Sequence, residues 1–299
     1  MSTPPHLRLP AGAHAGLLAT TRGDFAVYDA VPSPGTTRLG SAVLVPGFTG
    51  SKEDFITLLA PLTQAGYRVL AIDQRGQFET PGPDDPDAYD LAELGADLIA
   101  IGATTDESVH LVGHSFGGLA VRAATVAAPE AVRSATLLCS GPGALTGPSA
   151  DRLGMLLGAL EMFSVADIWD IIQASAQASG ENDGVEPDVL DFLRRRFVGT
   201  TKQSLRVMAS QLLAAPDRVA ELAAAAVPVL VAWGVDDDVW RPPVQAEMAA
   251  RLGARAVAVE GAGHSPAVQN PGRTAQVLLE FWDEVRAPAK VERIFGEGP

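Results

Sequence analysis

The chain has 299 residues, of which 47% are hydrophobic and 19% charged, and a formal net charge of -14. This composition is typical of a globular protein rather than a disordered chain, and the length suits two small domains or one large α/β domain with an insertion. The acidic excess argues against a nucleic-acid or anionic-membrane partner, because binding phosphates requires clustered Lys and Arg. We interpret the basic triplet Arg194-Arg195-Arg196 as a solvated helix face.

The single cysteine, Cys139, follows an apolar run and excludes an intrachain disulfide. Residues 1–16 lack the charged start and apolar core of a secretory signal. No stretch approaches the roughly 18 consecutive apolar residues of a membrane span. Together these features predict a cytoplasmic protein that does not bind membranes.

Strands and helices alternate through the first half of the chain. Residues 1–22 have no regular pattern, and residues 25–31 indicate a possible early strand. Firm strands are predicted at residues 41–45, 67–72, 109–113 and 132–138, with helical patterns between them. This alternation implies βαβ units and a parallel sheet with helices on both faces. In such a sheet the ligand site lies beyond the carboxyl ends of the strands.

The stretch Gly113-His114-Ser115-Phe116-Gly117 places a Gly-x-Ser-x-Gly pattern between a strand and a helix. The spacing suits a turn so tight that side chains at the flanking glycines would clash. Such a turn lifts the serine hydroxyl clear of the sheet. It also puts the Phe116 amide at a helix N-terminus, where an unpaired N–H group favours a developing negative charge. Ser115 is therefore the candidate nucleophile.

From about residue 142 to 226 the pattern is helical without a convincing strand, after which strands resume at residues 227–233 and 256–260. We predict an α/β core formed by residues 1–141 and 227–299, with residues 142–226 as a helical cap. The apolar residues of the cap either pack the insertion onto itself or line a lipophilic pocket over Ser115. They are Leu156, Leu157, Leu160, Met162, Phe163, Ile168, Trp169, Ile171 and Ile172.

A serine hydroxyl is a poor nucleophile and needs a base within hydrogen-bond reach. Of the five histidines, His264 follows a late strand in a Gly-rich loop, on the same edge of the sheet as Ser115. His114 lies on the tight turn itself, and we expect its side chain to point away from the serine. His264 is therefore the candidate general base.

The base in turn needs an acid that orients the imidazole and stabilises its charged form. Three adjacent carboxylates, at positions 236 to 238, follow the other late strand. We favour Asp237 and keep Asp238 as the runner-up. The resulting order of serine, aspartate and histidine differs from the orders of the two common serine-protease folds.

With these motifs the chain resembles the α/β-hydrolase superfamily from about residue 43 to residue 282. The family's acid usually stands three residues after a glycine, which maps onto Asp237 counting from Gly234, and the Gly-x-Gly-His pattern is intact at residues 261–264. The family's oxyanion loop, usually His-Gly, reads Pro46-Gly47-Phe48 here, and the resemblance implies that the Phe48 amide joins that of Phe116 in the oxyanion hole.

The family's Asp-x-Arg-Gly-x-Gly-x-Ser motif corresponds to residues 73–80, with Phe78 in place of the glycine and Thr80 in place of the serine. Overall the resemblance implies an α/β-hydrolase fold, with a mostly parallel central sheet, helices on both faces and an inserted helical cap. It also implies a serine hydrolase that cleaves carboxylic esters of small molecules. The apolar composition of the cap favours hydrophobic or medium-sized acyl or alcohol groups. Relatives that use an aspartate nucleophile are disfavoured by Ser115.

Several alternatives remain open from the sequence. A thioesterase or lactonase, a cofactor-free perhydrolase and a C–C hydrolase can use the same triad, and a ligand receptor with slow turnover can retain it. No metal or nucleotide cofactor is predicted, since the sequence has no Cys cluster, no His pair at helical spacing and no Gly-x-Gly-x-x-Gly after the first strand. The oligomeric state is left open.

Overall fold

The computed structural model describes residues 1–105, 107–180 and 182–286. Eight strands form one sheet in the order β1-β2-β4-β3-β5-β6-β7-β8. The strands are β1 (Ala13–Thr20), β2 (Gly23–Ala30), β3 (Gly40–Val45), β4 (Tyr67–Ile72), β5 (Val109–His114), β6 (Val132–Leu138), β7 (Val229–Gly234) and β8 (Arg255–Val259). β1 and β2 pair antiparallel, as do β2 and β4, and the remaining neighbours are parallel. The predicted, mostly parallel sheet is confirmed.

Helices cover both faces of this sheet. They are α1 (Ile56–Gln64), α2 (Leu91–Gly102), α3 (Phe116–Ala127), α4 (Pro148–Met162), α5 (Val165–Ser179), α6 (Pro187–Gly199), α7 (Lys202–Ala214), α8 (Val219–Ala224), α9 (Pro242–Leu252), α10 (Pro266–Gln269) and α11 (Pro271–Arg286). Alternate residues of β3 point to opposite faces, because side chains alternate along a strand. Val43 and Val45 join a buried cluster with α2, α3, α8 and α9, whereas Ala42 and Leu44 join a cluster with α1 and α11.

The prediction that residues 1–22 are irregular is wrong for β1. This strand lies at the edge of the sheet and exposes most of its side chains, so it lacks the apolar alternation that reveals a buried strand. It forms a hairpin with β2 in which Thr20 pairs with Gly23. Gly23 has a positive φ of 119° and directly follows the two-residue connection Thr21-Arg22. A glycine at the start of β2 was therefore the available hairpin signal.

Between β6 and β7 the chain forms α4 to α8, which we call the cap helices. Eight apolar residues of these helices are buried together and form what we call the cap cluster: Leu160, Ile168, Trp169, Val189, Phe192, Leu193, Phe197 and Leu205. By contrast, Met162 and Ile171 are exposed. The cap helices also join the core, since Leu153 of α4 and Met208 of α7 belong to the cluster of α2 and α3. The division into a core domain and a cap domain stays a prediction.

The interpretation of the basic triplet is wrong for one of its members. Arg194 and Arg195 are exposed, but Arg196 is fully buried and its Nη1 pairs with Asp54 Oδ1 at 2.7 Å. Asp54 lies far away in the sequence, so nothing in the local pattern distinguishes Arg196 from its neighbours. Within the described residues, no helix has the length and apolar character needed to span a membrane.

His110 on β5 is a buried polar residue whose burial affects the pH dependence of stability. Its ring stacks on Trp282 at a centroid distance of 4.8 Å, and its Nδ1 lies 2.7 Å from Ser134 Oγ. Burial, with a smaller contribution from the charge of Arg133, lowers the pKa of His110 to about 3 from 6.5. The folded protein therefore keeps this imidazole neutral at a pH at which the unfolded chain protonates it.

We expect His110 to destabilise the fold as the pH falls below about 6.5, by roughly 2–3 kcal/mol at about pH 4.5. The measurement is the free energy of unfolding at about pH 7.5 and 4.5 for the parent and for a His110→Phe, Ser134→Ala double variant. The raised pKa of Asp54 increases the stability of the fold as the pH falls, but it does so equally in both proteins. The difference between their changes in unfolding free energy therefore reports His110. Equal pH dependence in the two proteins would refute this assignment.

Candidate active site

Ser115 lies on the turn that joins β5 to α3, with φ 53° and ψ -119°. The two motif glycines are required by contact with backbone. A Cβ on Gly117 would lie 2.5 Å from the carbonyl oxygen of Val45, and one on Gly113 would lie 2.3 Å from that of Gly117. Since real Cβ atoms are not found so close to backbone, the turn accepts only glycine at these positions.

Three side chains that are distant in the sequence form a continuous hydrogen-bonded chain beside this turn. Ser115 Oγ lies 3.0 Å from His264 Nε2, and His264 Nδ1 lies 2.9 Å from Asp237 Oδ1. His264 follows β8 and Asp237 follows β7, so both reach the sheet edge at which β5 ends. The arrangement can transfer the serine proton to the imidazole while the carboxylate stabilises the resulting charge.

Asp237 and its neighbour Asp238 differ sharply in their surroundings. Asp237 is 3% exposed, and besides His264 it accepts hydrogen bonds from the Val239 amide and from Gln245 Nε2. Burial opposes ionisation of Asp237, but the hydrogen bond and charge of His264, together with these donors, hold its pKa below the ordinary value. The side chain of Asp238 is 74% exposed and lies 3.7 Å from Arg152. Asp237 is thus the ionised partner of His264.

His114 contacts the loop that carries His264, a position that its sequence context does not reveal. Its Nε2 lies 2.6 Å from the carbonyl oxygen of His264, so this nitrogen donates the hydrogen bond. Burial first, and then the charge of His264, lower the pKa of His114 to about 3. His114 is therefore a neutral donor that holds the backbone of His264.

The two amides predicted for the oxyanion hole belong to neighbouring loops. β3 and β5 pair in parallel, with Val45 opposite Gly113, so the loop containing Phe48 lies next to the Ser115 turn. A Cβ on Gly47 would lie 3.0 Å from Ser115 Cβ. Within the described part of the chain, neither the Phe48 amide nor the Phe116 amide donates to another group. Both amides thus keep the unpaired N–H group that the predicted oxyanion hole requires.

Two glutamines that sequence reasoning missed hold the Phe48 loop. Gln74 Nε2 donates to the Pro46 carbonyl and Gln77 Nε2 donates to the Gly47 carbonyl, each at 2.9 Å. Both glutamines are buried. Both glutamines lie in the Asp-x-Arg-Gly-like segment that follows β4, and this position was the available indication of a role at the site. No local pattern shows which carbonyls they bind.

Residues 73–80 depart from the family motif at Phe78 and Thr80, and the structure accommodates these two residues in different ways. Thr80 replaces a serine and keeps a hydroxyl, which donates to the Asp73 carbonyl and accepts from the Ala26 amide, each at 2.9 Å. Phe78 takes a positive φ of 42°, and its ring packs edge-on against Phe192 of the cap cluster at 5.7 Å. Phe78 therefore connects this loop to the cap helices.

A buried lysine follows the Phe48 loop and was also missed. Lys52 Nζ lies 2.9 Å from Asp73 Oδ2, 2.6 Å from Glu79 Oε2 and 3.1 Å from Glu53 Oε1. Burial opposes its charge, but the surrounding carboxylates, led by Asp73, hold the pKa of Lys52 above its usual value. Lys52 thus ties the helical turn after the Phe48 loop to the loop after β4.

Cys139 lies against Asp237 and His264, and the three side chains place possible metal-ligating atoms within 4.8 Å of one another. Metal binding requires the thiolate form of cysteine. Burial, and then the charge of Asp237, raise the pKa of the Cys139 thiol well above its usual value. Because Asp237 is already bonded to His264, Val239 and Gln245, the arrangement favours proton transfer over metal binding.

A model of the alpha/beta hydrolase family matches residues 42–277, and the chain therefore belongs to the α/β-hydrolase family. This membership confirms the predicted family and fold, and it supports hydrolysis of a small-molecule substrate. The chain is 30% identical over 256 residues to RutD of Variovorax paradoxus, named as a candidate carbamate hydrolase, with 83% of this chain and 94% of that protein covered.

Other relatives differ in the reactions that their names describe. The chain is 30% identical over 205 residues to a 2-hydroxy-6-oxononadienedioate/2-hydroxy-6-oxononatrienedioate hydrolase of Cupriavidus pinatubonensis, covering 64% of this chain and 67% of that protein. The enol-lactonase from Burkholderia xenovorans superposes with a TM-score of 0.72 at 20% identity, covering 90% of this chain and 100% of that chain. At this identity the structural similarity shows the fold alone.

Proposed function

We propose that this protein is a serine hydrolase that cleaves carboxylic esters through an acyl-enzyme, with Ser115, His264 and Asp237 as its triad. The observation that carries the proposal is the hydrogen-bonded chain from Ser115 Oγ to His264, at 3.0 Å, and from His264 to Asp237, at 2.9 Å. A hydroxyl, an imidazole and a buried carboxylate in this order form the arrangement that activates serine in acyl transfer.

Acylation begins when Ser115 Oγ attacks the ester carbonyl carbon and His264 Nε2 takes the hydroxyl proton. The Phe48 and Phe116 amides stabilise the negative charge on the carbonyl oxygen. The tetrahedral intermediate then breaks its bond to the alcohol oxygen, which receives the proton from His264. Water, deprotonated by the same nitrogen, attacks the acyl-enzyme, and the acid leaves as Ser115 regains its proton.

The surroundings of the triad favour an apolar substrate. Phe48 packs both against the core cluster around α3 and against the cap cluster, so apolar side chains lie near the amide assigned to the oxyanion hole. Two buried cations close to this loop, Lys52 and Arg196, are already paired with carboxylates. They supply no uncompensated charge for an anionic substrate, and this supports a neutral ester over a dicarboxylate.

A carbamate is the second candidate substrate class. The observation in its favour is the similarity to RutD, which extends over 94% of that protein. Carbamate cleavage uses the same nucleophile, base and oxyanion donors as ester cleavage, because both are acyl transfers at a carbonyl carbon. The triad geometry therefore accommodates either reaction, and kcat/KM values on matched ester and carbamate substrates distinguish them.

The test is a turnover screen with aryl esters of increasing acyl length and matched thioester, lactone and carbamate probes. We expect multiple turnovers, with the highest kcat/KM on a medium-length ester. A higher kcat/KM on the matched carbamate or thioester would reassign the substrate class. Tight ligand binding without multiple turnovers would instead indicate a receptor and contradict the proposal.

A further inference from the structure

Residues 2–9 run along the boundary between the α/β core and the cap helices, and we call this segment the strap. Leu9 packs against the core cluster that contains α1 and α11, whereas Leu7 packs against the cap cluster. Pro4 is buried. The strap therefore passes from the core to the cap helices and continues toward the triad.

At its far end the strap contacts the loop that carries the candidate general base. Ser2 Oγ lies 2.8 Å from Ser265 Oγ, and Ser265 is the residue that follows His264. The backbone carbonyl of Ser2 accepts a hydrogen bond from Arg196 Nη2 of α6 at 2.7 Å. Ser2 thus bridges the His264 loop and the cap helices.

Arg196 connects this contact to the oxyanion side of the site. Besides the Ser2 carbonyl, its guanidinium binds Asp54 Oδ1 at 2.7 Å, and Asp54 lies in the helical turn Lys52–Phe55 that follows the Phe48 loop. Arg196 is fully buried and Asp54 is 3% exposed. One buried cation therefore holds the strap, a cap helix and the turn after the Phe48 loop together.

The strap is held by the packing of Leu7 and Leu9 and by the contacts of Ser2. Within the described residues, the hydrogen bonds that join residues 2–9 to the rest of the chain are the two made by Ser2. Pro5 and His6 are exposed. Residues 2–9 form no strand or helix, and a segment without such a hydrogen-bond ladder is displaced more easily than the sheet.

We propose that the strap forms one wall of the entrance to Ser115 and that Ser2 limits the size of the substrate groups that enter. The inference rests on the proposed ester hydrolysis. A short acyl group is accommodated beside His264 with the strap in place. A long or bulky group extends past the His264 loop to Ser2, so the strap must move before the ester binds.

The test locks the strap with a disulfide between Ser2→Cys and Ser265→Cys. The two hydroxyl oxygens are 2.8 Å apart, a separation that a disulfide of about 2.05 Å spans with a small adjustment. The native Cys139 is fully buried and does not compete for the bond. The two single variants, taken through the same oxidation and reduction, are the matched controls.

We expect the oxidised double variant to retain turnover of an aryl acetate and to lose about tenfold or more in kcat/KM on an aryl decanoate. Reduction should restore the decanoate activity, and neither single variant should respond to oxidation. An unchanged decanoate-to-acetate ratio would overturn the proposal. So would an equal loss on both esters, because a distorted triad affects every substrate.

Failure of the proposed ester hydrolysis is distinguished by a second measurement on the same proteins. The rate of Ser115 labelling is compared for a small and a long-chain alkyl fluorophosphonate, which requires a reactive serine but no ester turnover. Selective slowing of the long-chain reagent by oxidation supports the strap even when no ester is cleaved. Equal rates in both forms, or no labelling by either reagent, contradict it.

Discussion

Replacing Ser115 with alanine is expected to lower kcat for ester hydrolysis by about 10⁶-fold, the scale seen when the nucleophile of a serine hydrolase is removed. The physical reason is that no other hydroxyl is bonded to His264 Nε2 in the described residues; Ser115 Oγ, at 3.0 Å, is its partner. The backbone turn and the two oxyanion amides remain in the variant. Substrate binding should therefore change far less than turnover.

The measurement combines steady-state kinetics on an aryl acetate with intact-protein mass after treatment with a fluorophosphonate. The parent should gain one label and the Ser115→Ala variant none. Ser210→Ala is a suitable control, since Ser210 lies on α7 and its hydroxyl donates to the Arg206 carbonyl. Parent-like turnover by Ser115→Ala would remove Ser115 from the mechanism.

The sequence was sufficient for the parts of this protein that depend on local patterns. Buried strands such as β3 and β7 contain continuous apolar runs, at residues 42–45 and 229–233, and the helices between strands show a period of 3.6 residues. The predicted order of strands and loops places Ser115, Asp237 and His264 at one edge of the sheet. Their contact follows from topology, because the loops after parallel strands meet at one edge.

Features that depend on distant contacts could not be predicted in this way. Arg196 is buried with Asp54, which lies 142 positions away in the sequence. Its neighbours Arg194 and Arg195 have the same local sequence context but are exposed. β1 exposes most of its side chains, so its pairing partner rather than its own pattern makes it a strand. The strap has no regular structure, and only its contacts through Ser2 connect it to the site.

The choice between Asp237 and Asp238 depends partly on a local pattern and partly on distant contacts. Three adjacent carboxylates offer the same chemistry, and the spacing from Gly234 alone favoured the middle one. The structure separates them by burial and partners, since Asp237 is 3% exposed and the Asp238 side chain is 74% exposed. A matched pair of substitutions can therefore test the assignment of the acid directly.

Asp237→Asn is expected to lower kcat by about 10⁴-fold, as loss of the triad acid does in other serine hydrolases. Asparagine has nearly the same shape, but it removes the charge that stabilises the imidazolium. If the side-chain amide turns its NH₂ toward His264 Nδ1, the proton moves to Nε2. The imidazole can then no longer accept the proton of Ser115. KM should change much less than kcat.

Asp238→Asn is the control, and we expect its kcat to stay within about twofold of the parent because exposed charges contribute little. Both variants remove one negative charge from the same loop, so a difference between them reports the hydrogen bond to His264 rather than net charge. The decisive measurement is the ratio of their kcat values at constant pH and ionic strength. If Asp238→Asn were the slower variant, the acid of the triad would be Asp238, and the 2.9 Å contact between Asp237 and His264 would be structural rather than catalytic.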